Sequence, residues 1–145
     1  MADKTIAFAS DHAGFELKET LKTYLSEQGY EVLDLGAHSL ESVDYPDFGK
    51  AMGDAIAEGK ANKGILVCGS GIGISIAANR NPAVRAALVQ SGLAAKLARQ
   101  HNDANVISLG ARLVGVETAY DCVDAFLATD FEGGRHQRRV DKLSS

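Results

Sequence analysis

Residues 64–80 read GILVCGSGIGISIAANR, and the character of the chain changes sharply at Cys68. The first five residues, GILVC, form a short apolar run of strand length, bounded by glycine on both sides. A strand that is apolar at successive positions is covered on both faces, as happens in a parallel sheet with helices above and below. Gly69, Gly71 and Gly73 then break the run, and residues 74–80 return to helical composition. Strand, glycine turn and helix in that order make one βα unit.

The same unit recurs on either side. Residues 5–9 (TIAFA) read as a buried strand. Phe15, Leu17, Leu21, Tyr24 and Leu25 follow at helical spacing, and Gly29 closes that helix. Residues 31–35 (EVLDL) form a second strand, residues 37–45 a polar loop. Phe48, Met52, Ala55 and Ile56 mark a helix with Pro46 near its start. Residues 86–89 and 106–109 are the fourth and fifth strands. Ala94, Leu97, Ala98 and His101 share the face of the helix between them. Val116, Ala119, Tyr120, Val123, Phe126 and Leu127 form another amphipathic helix, and a basic helix begins at about residue 133. Five strands alternating with helices predict an α/β fold: a three-layer αβα sandwich around a doubly wound, Rossmann-like, five-stranded parallel sheet. Residues 1–145 form one domain, and its ligands are expected at the carboxyl ends of the strands.

Composition narrows the function. The chain has 145 residues, and 15 Lys and Arg against 19 Asp and Glu give a net charge of −4. That argues against nucleic acid or an anionic membrane as the main partner. No apolar run approaches the length of a bilayer span, and the N-terminal MADKTIAFAS lacks the apolar core of a signal peptide. Two cysteines, Cys68 and Cys122, are too few for a disulfide framework, so a reducing cytoplasm is the simpler setting. Fifteen glycines against two prolines indicate tight turns or close backbone approaches.

Polar and reactive residues gather at the strand ends: Ser10, Asp11 and His12 after the first strand, Cys68 to Gly73 after the third, Gly110 to Arg112 after the fifth. The glycine loop fits neither common phosphate fingerprint. No Lys follows it as in a P-loop, and Ile74 stands where the dinucleotide pattern has its third glycine. What remains is a row of backbone N–H groups before a helix, suited to an anion or a developing oxyanion; it is equally a tight turn whose glycines serve packing. A free Cys is commonly a small buried hydrophobe, but Cys68 adjoins this loop and the Ser70 hydroxyl, a setting that favours a reactive thiolate. Cys122 lies inside a helix and reads as structural. His101 is either a satisfied core histidine or a pocket-facing proton carrier. His12 is either an anion contact or a loop residue. Arg135 and Arg139 are one turn apart on the tail helix. With Arg138 and Lys142 against Asp141 they give that tail a local charge of +3, which suits phosphate or a solvated terminal helix. The four histidines are scattered, and no metal-ligand spacing is apparent.

Five stretches then occur in order: SDHAG at 10–14, DYPDF at 44–48, CGSGIGISIAANR at 68–80, RQHNDANVISLGAR at 99–112 and EGGRHQRRV at 132–140. Together they closely resemble the family of type B ribose-5-phosphate isomerases and galactose-6-phosphate isomerase subunits, over nearly the whole chain. The resemblance implies an aldose–ketose isomerase acting on a sugar phosphate through an enediolate, without metal or organic cofactor. It implies Cys68 as the base, Ser70 (where many relatives carry Thr) as a positioning or shuttling hydroxyl, and His101 as the ring-opening group with Asp11 as a helper. Gly69, Ser70, Gly71, Ile72 and Gly73 would hold the enediolate oxygens. His12, Arg135 and Arg139 would contact substrate or phosphate, and Tyr45 would line the pocket. Asn102 and Arg112 match contacts that relatives supply from a partner subunit, so a homodimer or a tetramer is implied. Some relatives lack the Cys and use a Glu at the position of Ile74; with Cys68 and no Glu there, this chain resembles the thiol-base branch. Ribose 5-phosphate is the expected substrate. A six-carbon sugar phosphate such as allose or galactose 6-phosphate is the nearest alternative, and a non-catalytic sugar-phosphate-binding module the more distant one.

Overall fold

A computed structural model describes residues 4–144; residues 1–3 and 145, the extremes of the expected domain, lie outside the described residues. The element order is β1 (Thr5–Ser10), α1 (Phe15–Ser26), β2 (Glu31–Asp34), α2 (Tyr45–Ala57), β3 (Lys63–Cys68), α3 (Ile72–Asn79), β4 (Ala86–Leu88), α4 (Gly92–Asn102), β5 (Val106–Gly110), α5 (Val116–Ala128) and α6 (Arg135–Leu143). All strand pairs are parallel, in the order β2-β1-β3-β5-β4. The expected doubly wound sandwich is therefore present. No helix among the described residues is long and apolar enough to cross a membrane.

Strand alternation divides the core into two. Ile6 and Phe8, Ile65 and Val67, and Ile107 and Leu109 point to one face, where Leu21 and Leu25 of α1, Ala95 of α4 and Val123 and Phe126 of α5 cover them. Ala7, Ala9, Leu66, Cys68 and Val106 point to the other face, against Met52 of α2 and Ile74 and Ala78 of α3. This division fits right-handed crossovers. The connections that step across an intervening strand carry α2 and α3, and those that step back one strand carry α1 and α4. Cys122 is fully buried in the first layer, and burial, with Asp121 beside it, pushes its thiol up to about 11. It is the inert structural cysteine the sequence suggests.

Three local details differ from the expectation. Helix α3 begins at Ile72, so Ile72 and Gly73 are its first residues and the open loop is only Gly69–Ser70–Gly71. Helix α2 starts at Tyr45, with Pro46 in its first turn. On α4 the buried residues are Gly92, Ala95, Ala98 and Arg99, while Leu97 is exposed. Arg99 is tolerated inside because its guanidinium donates to the carbonyls of Thr129 and Ala104 and to Asp103, leaving no buried donor unpaired.

Candidate active site

The sheet order reverses direction between β1 and β3, which run in neighbouring positions while their chains continue to opposite edges. Ligands of open α/β sheets bind at such a switch point. There β1 delivers Asp11 and His12, β3 delivers Cys68 and Ser70, and β5 delivers Arg112. With Tyr45, Gly69, Ile72, Gly73 and others they line one cavity of about 660 Å³. It adjoins a groove between α2 and α3 that shares Tyr45, Gly73 and Ile76 with it.

Cys68 is buried, and its Sγ accepts a hydrogen bond from the N–H of Gly71 at 3.1 Å. Gly71 sits at φ +78°, and a Cβ there would lie 2.7 Å from Leu88 and 2.8 Å from the backbone of Leu109, so only glycine satisfies both the turn and the contact. Its carbonyl accepts from Ser108 Oγ at 2.7 Å. Ser108 is fully buried in β5 and so anchors, on its carbonyl side, the glycine whose N–H points at the sulfur. The reading from sequence missed Ser108; its signal was a lone hydroxyl in the otherwise apolar strand VISLG.

The oxygen of Ser70 accepts from the N–H of Ile72 at 3.1 Å, which leaves its own proton for a ligand. Asp11 is buried and accepts from the N–H of Gly14 at 3.1 Å. His12 Nδ1 accepts the N–H of Val43 at 3.1 Å; the tautomer that this bond selects carries its proton on Nε2. Gly73 lets Tyr45 close over the start of α3, since a Cβ there would lie 2.5 Å from the ring. The first-turn N–H groups of α3 have no partner inside the helix, which gives this wall of the cavity its positive character.

Arg112 lines the cavity of its own chain. A Cβ on Gly69 would stand 3.3 Å from its guanidinium. The resemblance assigned it to a partner subunit; its place directly after β5, beside the β3 loop, brings it into this chain's own site. His101, Asn102 and Arg139 lie elsewhere. They line a second cavity of about 200 Å³ between the end of α4 and α6, together with His136, Val140 and Leu143. There His101 stacks on His136 with ring centroids 4.6 Å apart. Arg135 opens α6 and is exposed. The expected residues thus fall into a thiol-bearing group and a His101–Arg139 group.

The fold and the first group define an α/β domain with a thiol, a hydroxyl and a helix N-terminus around a small-molecule-sized cavity at the switch point. Residues 6–143 match the family model described as Ribose/Galactose Isomerase. The chain belongs to that family. It is 47% identical to ribose-5-phosphate isomerase B of Escherichia coli over 98% of this chain and 95% of that one. Among solved structures, a ribose 5-phosphate isomerase from Thermotoga maritima superposes with a TM-score of 0.94 at 54% identity, covering 97% of each chain. Ribose-5-phosphate isomerase B from Mycoplasma genitalium, solved with bound ribulose-5-phosphate, superposes with a TM-score of 0.90 at 43% identity, covering 97% of this chain and 93% of that one.

Proposed function

We propose that the protein interconverts ribose 5-phosphate and ribulose 5-phosphate through an enediolate, with Cys68 as the base. The observation that carries this is the buried Cys68 side chain in the wall of a cavity where a backbone N–H, the Ser70 hydroxyl and a helix N-terminus converge. In the open-chain aldose the Cys68 thiolate takes the proton from C2. The C2–H electrons form the C1–C2 double bond, and the carbonyl electrons move onto O1. The start of α3 stabilises that oxyanion. Ser70 donates to it and carries a proton between O1 and O2. The thiol then returns its proton to C1, and a carbonyl forms at C2. His101 opens the furanose ring, assisted by Asp11. His12 through Nε2–H, Arg112, Arg135 and Arg139 hold the phosphate, so binding energy remote from the reacting carbons positions them. Gly69, Gly71, Ile72, Gly73, Tyr45 and Asn102 shape the rest of the pocket.

This mechanism needs His101 and Arg139 near a Cys68, and one chain keeps them in separate cavities. A homodimer in which one copy lays its α4–α6 end over the other's thiol cavity completes the site. The exposed Ile72, Ile76 and Leu113 on that cavity's rim are apolar enough for such a contact. The whole chain then works as a single domain, in the cytoplasm, in pentose phosphate metabolism.

Two measurements test this. Purified protein incubated with ribose 5-phosphate forms ketose, with higher kcat/KM than on allose 6-phosphate or galactose 6-phosphate. A folded sample without turnover on any of them would overturn the reading. For the shared site, Cys68→Ala and Arg139→Ala are each inactive, yet mixing them under subunit exchange recovers activity, because a mixed dimer carries one intact pocket. Failure to recover while sedimentation reports dimers would place both residues in one chain's site.

A further inference from the structure

We propose that His101, Glu132 and His136 form an inhibitory binding site for a zinc-class divalent ion. One donor atom from each lies within 4.8 Å of the other two. The imidazoles of His101 and His136 stack with centroids 4.6 Å apart and planes 18° from parallel, so both bind one ion once a ring turns its nitrogen out of the stack. His136 Nε2 stands 3.4 Å from Glu132 Oε1. Tetrahedral zinc with bonds of about 2.0–2.2 Å asks for donor separations of roughly 3.3 Å, so that pair is already spaced for an ion. The remaining closure is the turn of the His101 ring toward that pair, which the half-exposed Glu132 carboxylate can follow.

The backbone holds the donors together without an ion. The N–H of Glu132 donates to the carbonyl of Gln100 at 3.1 Å, which ties the approach to α6 onto the end of α4. His136 is buried against this junction. Two imidazoles and a carboxylate with an open fourth position are a donor set that zinc takes in accessible sites. The cluster escapes short-motif reading because His101 comes from α4, and Glu132 and His136 from the approach to α6 and its first turn.

Inhibition rests on the reading of His101 as the ring-opening group. An ion on that imidazole occupies the lone pair that would exchange a proton with the sugar, and it sits in the cavity shared with Arg139. Zinc and ribose 5-phosphate should therefore compete.

The site itself is tested without substrate. Zn²⁺ titrated calorimetrically into the purified protein binds at one ion per chain, and Glu132→Gln and His136→Gln each weaken binding by about tenfold or more. Co²⁺ gives visible d–d bands without thiolate charge transfer. In the isomerase assay Zn²⁺ inhibits the wild type competitively and a chelator reverses it, whereas Glu132→Gln turns over normally and resists the ion. No binding, unchanged affinity in Glu132→Gln, or a thiolate band placing the ion on Cys68 would overturn the site. Binding without inhibition would overturn its inhibitory role. Glu132 is exposed, so its variant remains informative where His136→Gln fails to fold, and the binding arm stands whether or not the protein isomerises ribose 5-phosphate.

Discussion

Cys68→Ala loses turnover on ribose 5-phosphate by about 10²–10⁴-fold, the range of a positioned acid–base group, while substrate binding measured by calorimetry changes little. The asymmetry follows from where the interactions lie. The phosphate contacts, the Ser70 hydroxyl and the start of α3 act on parts of the sugar that the thiol does not touch, so ground-state affinity survives. Only the thiol's place between C2 and C1 is lost, and the carboxylate and imidazole of the cavity wall are held elsewhere. Asp11 is engaged with the N–H of Gly14, and His12 Nδ1 is engaged with the N–H of Val43. Cys68→Ser keeps an acceptor for the Gly71 N–H but substitutes a far weaker acid, so it is expected to fall with Cys68→Ala. Near-wild-type kcat in either variant would move the base elsewhere. A loss confined to KM would make Cys68 a binding residue.

The strand framework and the Cys68 loop were legible because each depends on neighbours in sequence. Apolar runs such as GILVC announce a strand covered on both faces, and three alternating glycines after a strand announce a tight turn before a helix. What was not legible depends on contacts distant in the chain. The turn's anchor, Ser108, lies 37 residues from Gly71, and a hydroxyl inside a strand carries no local mark of what it holds. Arg99 shares the helical face of Gly92 and Ala95, but its charge suggests the surface; the carbonyls of Ala104 and Thr129, just past α4 and α5, draw it inside. His101 was identified as a site residue, but its neighbours His136 and Glu132 come from a segment 31 to 35 residues later, and no spacing links them. The separation of His101 from Cys68 within one chain is likewise a property of the assembled sheet.

Asp34→Ala is expected to cost about 3–5 kcal/mol of stability, the usual effect of removing one partner of a buried ion pair. Lys18 is fully buried, and its Nζ lies 2.7 Å from both carboxylate oxygens of Asp34. Lys22 reaches the same carboxylate at 2.6 Å. Without Asp34 the Lys18 ammonium keeps the Phe15 ring at 5.4 Å and the partly exposed Glu19 at 3.2 Å, where an ion pair contributes little. Asp34 also accepts the N–H of Gly36. The carbonyl of Gly36 and the N–H of Ala37 in turn pair with Ser10, so the loss extends to the strand end that carries Asp11. Burial opposes ionisation of Asp34, but Lys18, Lys22 and the Gly36 N–H outweigh it and hold the carboxyl below the ordinary carboxylate range. A depressed folded-state value means that the pair's contribution is complete above about pH 4 and declines as pH falls through that depressed value. Urea unfolding across this window should therefore show wild-type stability falling faster with acid than that of Asp34→Ala, the two converging at low pH. The double variant Lys18→Met/Asp34→Leu should recover most of the loss at neutral pH, because apolar replacement of both partners removes the unpaired charge. A double variant as unstable as Asp34→Ala, or an acid profile that Asp34→Ala leaves unchanged, would show that the pair's role lies in packing rather than charge.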